Sequence, residues 1–342
     1  QQTASLERDE MAGDKYLETE MLGVFFVESY TSYIKNVQEL INRTQDNEDL
    51  VNTYAVALIW KSFLFHRITD LYGDVPYSEA ANGYRNQIYY PKYDRQSEIY
   101  AGMIHDIETG LSLLNPSAPA ITGDIIYNGN IEKWKKFGNS LLLRLGMRME
   151  HADPALAKAT VQKAIERGVM NDPSDICMVQ HVAGKGGTEN PLSAVFKGHG
   201  LVGSGTVKIS KTFMERLKTT VDPRLYVYAA LPNGTTDFDK QKGLPNGYDF
   251  LTIYEAEPDY KSLEEYSTFN PATILQMDAP MVHLTHAEVE LLQAEAILKG
   301  WINGDAKEHY ENAVRSSMKQ MAIYGENAII SDEKIENYLA QN

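Results

Sequence analysis

One segment of this chain limits its possible folds more than any other, the run "VNTYAVALIWKSFLFHRI" from Val51 to Ile68. Apolar side chains, among them Ala55, Leu58 and Phe63, cover nearly the whole circumference of the helix that this run would form. A helix that is apolar on all sides is usually buried in a helical core. The sequence therefore predicts an all-α fold with this helix in its core.

Further apolar stripes at the helical period predict an irregular, tetratricopeptide-like helical-repeat scaffold. The predicted helices are one that Asp94 caps and Asn115-Pro116 ends, Ile131–Met149, Pro154–Arg167 ended by Gly168, and a C-terminal pair. In that pair, Thr285-His286-Ala287-Glu288 has the pattern of a capping box, and Asp305 can cap the second helix. The pair resembles a tetratricopeptide helix-turn-helix, although no strict period of about 34 residues runs through the chain.

The segment Asn171–Pro280 differs from the rest, because it is rich in glycine and proline and shows one clear helix, around Ser210–Lys218. Long irregular stretches in a folded chain are usually functional or mobile. We therefore expect a single domain over residues 1–342, with a helical scaffold at 1–170 and 281–342 and a loop-rich, ligand-binding insertion at 171–280.

The composition excludes several classes of function. The chain carries 32 basic and 47 acidic residues, a formal net charge of −15, which argues against a nucleic-acid partner and favours a neutral ligand over an anionic one. Cys177 is the only cysteine, so disulfides within the chain and zinc sites built from several cysteines are excluded. No run of about 18 apolar residues predicts a transmembrane helix.

Two groups of ionisable residues raise the question of a metal or catalytic site. His283 and His286 precede two glutamates, but a helix that begins at Thr285 would point the histidines apart, so we interpret them as structural. Paired carboxylates can hydrolyse glycosides and can bind calcium, but the sequence does not place any two of them face to face. We predict no catalytic residue, no metal site and no cofactor. The second group of ionisable residues, the one with these carboxylates, is an acidic run that consists of Glu255, Glu257, Asp259, Glu264 and Glu265.

Tyrosine is the unusual residue, with 21 copies against three tryptophans. Gly73 and Pro76 end the buried helix and open a loop, Asp74–Tyr93, in which aromatic rings alternate with amide and guanidinium groups. Aromatic faces beside such donors suit sugar rings, because the C–H face of a sugar stacks while its hydroxyls form hydrogen bonds. The predicted ligand-binding residues are Asn82, Tyr84, Arg85, Tyr89 and Tyr90, with a second group at Tyr248, Phe250 and Tyr254.

The other two tyrosines of the loop have different predicted roles. Tyr77 belongs to the same cluster, which we expect to be too rich in tyrosine to be buried together. Tyr93 lies next to the predicted cap at Asp94, and we therefore expect its ring to serve packing rather than binding.

Several separated stretches together resemble one family. They are "DLYGDVPYSEA" (Asp70–Ala80), "YPKYDRQSEIY" (Tyr90–Tyr100), "GDIIYNGNIEKWKKFGNSLLLRLGMRM" (Gly123–Met149), "DPRL" (Asp222–Leu225), "GLPNG" (Gly243–Gly247) and "MVHLTHAEVELLQAEA" (Met281–Ala296). In order and spacing they resemble the SusD/RagB family, in its SusD-like lipoprotein branch, over nearly the whole chain.

The resemblance implies a lipoprotein on the surface of a member of the Bacteroidetes, anchored in the outer leaflet of the outer membrane. Such proteins bind glycans, or peptides in some members, and cover a SusC-like TonB-dependent transporter as a lid. The resemblance also implies an all-helical fold of tetratricopeptide-like pairs, no enzymatic activity and no cofactor. It therefore agrees with the helical pattern and with the tyrosine-rich loop.

The sequence departs from the family pattern at both ends. It begins at Gln1 without an initiator Met, a signal peptide or a cysteine that could carry lipid, so we expect it to be part of a longer protein. Family members typically continue with a further helical segment rich in Trp and Arg, which we expect to follow Asn342.

Glycan binding for nutrient uptake is the leading hypothesis, and three alternatives remain. A peptide-binding member of the same family would have the same fold. A helical-repeat adaptor would need only a concave repeat surface and would bind another protein. A glycosidase would need a pair of facing carboxylates.

Overall fold

The computed structural model describes residues 2–6, 23–184, 186–196 and 207–341, and the chain divides into two compact units. The helical unit consists of Met21–Cys177 and Leu284–Tyr310. The mixed unit consists of Gln1–Glu20, Met178–His283 and Glu311–Asn342. Each unit buries its own hydrophobic core.

Helices account for most of the regular structure in the described residues. They are α1 (Val24–Glu28), α2 (Lys35–Thr44), α3 (Val51–Tyr72), α4 (Gly83–Asn86), α5 (Gln96–Leu113), α6 (Ile131–Arg148), α7 (Pro154–Arg167), α8 (Pro191–Phe196), α9 (Lys211–Thr219), α10 (Leu225–Tyr228), α11 (Ile253–Ala256), α12 (His286–Leu298), α13 (Ala306–Lys319) and α14 (Asp332–Gln341). A π-helical turn, Ser29–Ile34, joins α1 to α2. None of the helices in the described ranges is both long enough and apolar enough to cross a lipid bilayer.

The strands are short and form two-stranded sheets. They are β1 (Thr3–Ser5), β2 (Cys177–Val179), β3 (Val207–Ile209), β4 (Ala229–Ala230), β5 (Thr268–Phe269) and β6 (Met281–Leu284). β1 pairs antiparallel with β3 so that Ala4 lies opposite Lys208, β4 pairs antiparallel with β5, and β2 pairs with β6. The predicted helical fold with few strands is confirmed.

The helix predicted from the run at Val51 lies in the core of the helical unit. In α3, the side chains of Ala55, Ile59 and Phe65 have no exposed surface. The helix continues four residues beyond its predicted end at Ile68, because nothing before Gly73 interrupts the backbone hydrogen bonds. Gly73 then ends it with a φ of 73°, a conformation that costs glycine little.

The N-terminus of α5 corrects one sequence prediction. Asp94 does not cap this helix. The N-cap position belongs to Arg95, whose backbone N–H donates to Glu98 Oε2 at 3.0 Å. The Asp94 carboxylate instead turns toward the preceding loop and binds backbone N–H groups there.

The N-terminus of α12 confirms half of the predicted capping box. Thr285 Oγ1 accepts a hydrogen bond from the Glu288 N–H at 3.0 Å. The Glu288 carboxylate does not reach back to Thr285 but binds Arg144, with Nε–Oε1 at 2.6 Å and Nη2–Oε2 at 2.8 Å. A bidentate, charge-assisted pair is stronger than one hydrogen bond to a neutral backbone group, which explains the exchange.

We expect Thr285→Ala to lower the free energy of unfolding by about 1 kcal/mol, because it removes the N-cap hydrogen bond. Chemical denaturation followed by circular dichroism measures the change. Thr122→Ala, at an exposed loop position, is the control and should stay within about 0.5 kcal/mol of the parent. An effect of Thr285→Ala no larger than that of the control would contradict the capping role.

The mixed unit contains more regular structure than the sequence suggested. The predicted helix around Ser210–Lys218 is α9, and Ser210 Oγ caps it by accepting from the Phe213 N–H at 3.2 Å. The expectation of a single helix in Asn171–Pro280 was wrong, because α8, α10 and α11 lie there as well. These helices have four to six residues, too few to show a periodic apolar stripe.

Candidate functional site

The tyrosine loop, residues Asp74–Tyr93, begins where α3 ends. Its two ends are held together by an isolated antiparallel bridge between Val75 and Asp94, in which the Asp94 N–H donates to the Val75 carbonyl at 3.1 Å. The loop therefore starts and finishes at the same place on the helical unit, between the C-terminus of α3 and the N-terminus of α5.

The Asp94 carboxylate stabilises this closed loop by accepting hydrogen bonds from the start of the loop. It is buried and accepts hydrogen bonds from the Tyr77 N–H at 2.9 Å, the Ser78 N–H at 2.7 Å and the Ser78 hydroxyl at 2.8 Å, and Lys92 Nζ lies 3.2 Å away. Burial alone would raise the pKa of this carboxyl, but the hydrogen bonds from Ser78 and Tyr77 outweigh it, so the pKa lies below its ordinary value. Asp94 therefore stays ionised and holds the start of the loop.

Tyr77 anchors the loop rather than facing a ligand. Its ring is buried and packs edge-on against Phe65, with the ring centroids 4.6 Å apart. Its hydroxyl donates to Asp106 Oδ2 at 2.6 Å, and Lys61 Nζ binds the same oxygen at 2.9 Å. The expectation that Tyr77 shares the exposed cluster was wrong, because this ion pair between α3 and α5 gives the buried hydroxyl a partner.

The remaining tyrosines of the loop project into solvent. The exposed fractions are 97% for Tyr84, 73% for Tyr89 and 94% for Tyr90. Tyr93 is 64% exposed, so the expectation that it serves packing was wrong. Successive side chains of an extended segment point in opposite directions, and Tyr93 turns outward because Asp94 turns inward.

These four rings also lack specific partners in the protein. Among the described residues, none of Tyr84, Tyr89, Tyr90 and Tyr93 pairs with another ring or forms a side-chain hydrogen bond. Free aromatic faces held on a fastened loop are suited to stacking against a flat, partly apolar ligand.

Asn82 and Arg85 supply polar groups beside the rings. Asn82 precedes α4, and its backbone carbonyl accepts from the Asn86 N–H at 2.9 Å, while its side-chain amide has no partner among the described residues. Arg85 donates from Nη2 to the Asn42 carbonyl at 3.0 Å, which ties the loop to the end of α2. All five predicted residues of this group lie within residues 82–90 of the tyrosine loop.

The second predicted group lies in the mixed unit and divides into two roles. Tyr248 is half-buried and packs against a small core that includes Leu244 and Ile253. Phe250 and Tyr254 are 44% and 51% exposed. The structure therefore leaves Phe250 and Tyr254 open to a ligand and assigns Tyr248 largely to packing.

In the acidic run, Glu257 is half-buried, whereas Glu255, Asp259, Glu264 and Glu265 are exposed. Glu257 lies between two lysines, with Oε1 3.1 Å from Lys211 Nζ and Oε2 2.9 Å from Lys242 Nζ. Burial would raise the pKa of Glu257, but Lys242 and Lys211 outweigh it and lower the pKa. An ionised carboxylate that already binds two lysines has no proton to donate and is poorly suited to act as a general acid.

The histidine group is built around a buried glutamate. Glu290 accepts from both sides, with Oε1 3.0 Å from His286 Nε2 and Oε2 2.7 Å from His309 Nδ1. The interpretation of His286 as structural fits this contact. Within the described ranges, no three His, Cys, Asp or Glu side chains come together in a way that could hold a metal ion.

The sequence did not reveal the residues that hold the loop. The sequence predicts Asp94 to be a helix cap, and no local pattern distinguishes Lys61 and Asp106 from other polar residues on the predicted helices. Their partners lie 16 to 45 residues away along the chain, so no local pattern connects them.

Comparison with known proteins gives this arrangement a family context. A family model named SusD-like, with the description "Starch-binding associating with outer membrane", matches residues 1–342. A search of curated proteins finds no match. The chain is also similar to solved structures, and it spans 72–73% of the length of the three described next.

Three of these structures show how far the similarity extends. A chitin-binding protein shares 29% identity at a TM-score of 0.86, covering 100% of this chain and 72% of its own. A protein named Bacteroidetes AC2a SusD-like shares 25% identity at a TM-score of 0.83, with coverages of 96% and 73%. A SusD homologue from Bacteroides fragilis NCTC 9343 shares 26% identity at a TM-score of 0.77, with coverages of 99% and 72%.

Proposed function

This chain belongs to the SusD-like family, which is described as starch-binding and associated with the outer membrane, and we propose on that premise that it binds a glycan at the cell surface. The observation that carries the proposal is the set of open rings at Tyr84, Tyr89 and Tyr90, on a loop fastened by Asp94. A loop that is already ordered loses little conformational entropy when a ligand stacks on it.

The chemistry of the loop fits a neutral oligosaccharide. Each ring offers a face to the C–H groups of one sugar, and the Asn82 amide and the remaining N–H groups of Arg85 are donors for its oxygens. Because a chitin-binding protein is among the similar structures, chitin oligosaccharides are the first ligands to test, with starch oligosaccharides second. Phe250 and Tyr254 are the proposed second contact region.

We further propose the cellular role that the family resemblance implies. The protein is held in the outer leaflet of the outer membrane by a lipid anchor and passes its glycan to a SusC-like TonB-dependent transporter. It binds without cleaving and without a cofactor, and residues 1–342 act as a single SusD-like domain. The ion-paired state of Glu257 supports a non-catalytic role.

Calorimetric titration with chitin and starch oligosaccharides, and with peptides as a separate arm, tests the proposal. We expect Tyr84→Ala, Tyr89→Ala and Tyr90→Ala each to raise the Kd roughly tenfold to a hundredfold, because each removes a stacking face. The matched control is Tyr310→Ala, which removes a tyrosine that is 43% exposed on α13.

Three outcomes would count against the proposal. If none of the three loop variants binds more weakly than Tyr310→Ala, the loop is not the site, and Phe250→Ala and Tyr254→Ala are the next variants to measure. If only peptides bind, the ligand class is wrong. If the purified protein releases reducing ends and loses this activity on Glu257→Gln, the protein is a glycosidase.

A further inference from the structure

A cavity of about 410 Å³ lies within the helical unit, away from the residues of the tyrosine loop. Its walls come from the C-terminal part of α5, the first half of α6 and the end of α7. The polar and charged side chains that line it include Glu108, Glu132, Lys135, Lys136, Asn139 and Arg167. Its size is within the range of pockets that hold small ligands.

The carboxylates around the cavity are already neutralised. Glu108 forms an ion pair with Lys163, and Glu132 Oε1 lies 2.9 Å from Lys135 Nζ. Lys136 is also engaged, since its Nζ donates to Asp175 Oδ2 at 2.8 Å. In each of these three pairs, the positive and the negative charge balance.

Arg167 is the exception among the charged lining residues. It is exposed, and its guanidinium has no ion pair or hydrogen bond with any described residue. Its backbone is held in place, because Asn139 Nδ2 donates to the carbonyls of Arg167 at 3.3 Å and Gly168 at 2.9 Å. One uncommitted positive charge therefore extends from a fixed backbone position at the edge of the cavity, although the chain as a whole is acidic.

Asn139 provides a second, independent observation. The residue is only 3% exposed, and no residue in the described part of the chain donates a hydrogen bond to its Oδ1. A buried acceptor without a donor is unfavourable, and a hydroxyl group at the base of the cavity would satisfy it. Since Oδ1 is covered in this structure, a ligand reaches it by displacing a surface side chain.

We propose that this cavity binds a small sugar acid. The ligand needs an anionic group for Arg167, hydroxyl donors for Asn139 Oδ1, and hydroxyls that can exchange hydrogen bonds with Ser112 and the paired carboxylates. A hexuronate has all of these, whereas a neutral hexose lacks the partner for Arg167. The site uses none of the residues of the proposed glycan site, so the two proposals stand or fall separately.

Calorimetric titration of the full chain with sodium glucuronate at low ionic strength tests the proposal, with glucose as the neutral comparison. We expect glucuronate to bind with a Kd on the order of millimolar and glucose at least about tenfold more weakly. Arg167→Gln should weaken glucuronate binding by roughly tenfold or more, because a charge-assisted hydrogen bond is lost. A disaccharide that ends in glucuronate, as a second arm, separates a free sugar acid from the end of a glycan.

Lys158→Gln is the matched control, since it removes an exposed positive charge on α7 that does not line the cavity. It should change the Kd by less than about twofold. Tyr84→Ala should leave glucuronate binding unchanged. The proposal is overturned if glucuronate gives no binding in either arm, or if Arg167→Gln and Lys158→Gln weaken it equally, since equal losses indicate non-specific charge attraction.

Discussion

Asp94→Ala is expected to lower the free energy of unfolding by about 3–5 kcal/mol, one of the two largest losses we anticipate for a single substitution in this protein. The substitution removes the acceptor for the N–H groups of Tyr77 and Ser78 and for the Ser78 hydroxyl. The Tyr77 N–H lies in a buried contact, so it cannot regain its hydrogen bond from water at low cost. Urea denaturation at neutral pH measures the effect.

Two comparisons isolate the cause of the Asp94 effect. Asp94→Asn keeps the volume and one acceptor oxygen, so it should lose less than Asp94→Ala. Asp46→Ala removes an exposed carboxylate at the end of α2 and should stay within about 0.5 kcal/mol of the parent. If Asp94→Ala were no more harmful than Asp46→Ala, the carboxylate would not hold the loop.

The Asp94 effect should also depend on pH in a defined direction. Its pKa is lower in the folded protein than the ordinary value, so it stabilises the fold above the unfolded pKa of about 3.9. That contribution is lost as the pH falls through the folded pKa. The difference in unfolding free energy between the parent and Asp94→Ala should therefore be largest at neutral pH and shrink below about pH 4.

The same substitution should weaken glycan binding if the tyrosine loop is the site. Without the Asp94 carboxylate, the hydrogen bonds that hold the start of the loop are lost. Ligand binding must then order the loop, which costs conformational entropy. We expect Asp94→Ala to raise the Kd for the glycan although its side chain faces away from the open rings. An unchanged Kd, measured under conditions where the variant is folded, would place the ligand elsewhere.

Gly243→Ala is expected to destabilise the protein by about 3 kcal/mol or more, because the added methyl group has no room. A Cβ at Gly243 would lie 2.6 Å from Lys211 Cα, 2.6 Å from the Ser210 carbonyl oxygen and 2.7 Å from Met214 Cβ. Two of these atoms belong to the backbone at the start of α9, which the Lys211 N–H to Leu244 carbonyl hydrogen bond of 2.8 Å holds in place. The backbone therefore cannot move aside cheaply.

Gly186→Ala is the matched control for Gly243→Ala. It lies in the same unit, its added Cβ would meet nothing within 4 Å, and its backbone is outside the left-handed region. Its unfolding free energy should stay within about 0.5 kcal/mol of the parent. Guanidinium denaturation measures the unfolding free energy of both variants. Equal values would contradict the prediction, because they would show that the backbone at the start of α9 moves aside at little cost.

Local sequence patterns were sufficient to predict most of the helical scaffold. The apolar circumference of the run at Val51 predicted a buried helix, and Gly73 predicted where the chain must leave it to within a few residues. The N-caps at Thr285 and Asp305 were also predicted from the sequence, because a cap depends on residues within one turn of each other. The open rings of Tyr84, Tyr89 and Tyr90 were expected from their place in a loop between two predicted helices.

Only the tertiary structure decided the roles that depend on distant partners. Tyr77 is buried because Asp106, on α5, accepts a hydrogen bond from its hydroxyl, and Glu288 does not complete its capping box because it binds Arg144 instead. Asp94 turns inward to two amide groups 16 and 17 residues earlier, which leaves Tyr93 in solvent. Helical periodicity and the N-caps at Thr285 and Asp305 are set by neighbours along the chain, and so the sequence alone determined them. The direction of a polar side chain is set by the strongest partner in space, which becomes defined only when the chain has folded.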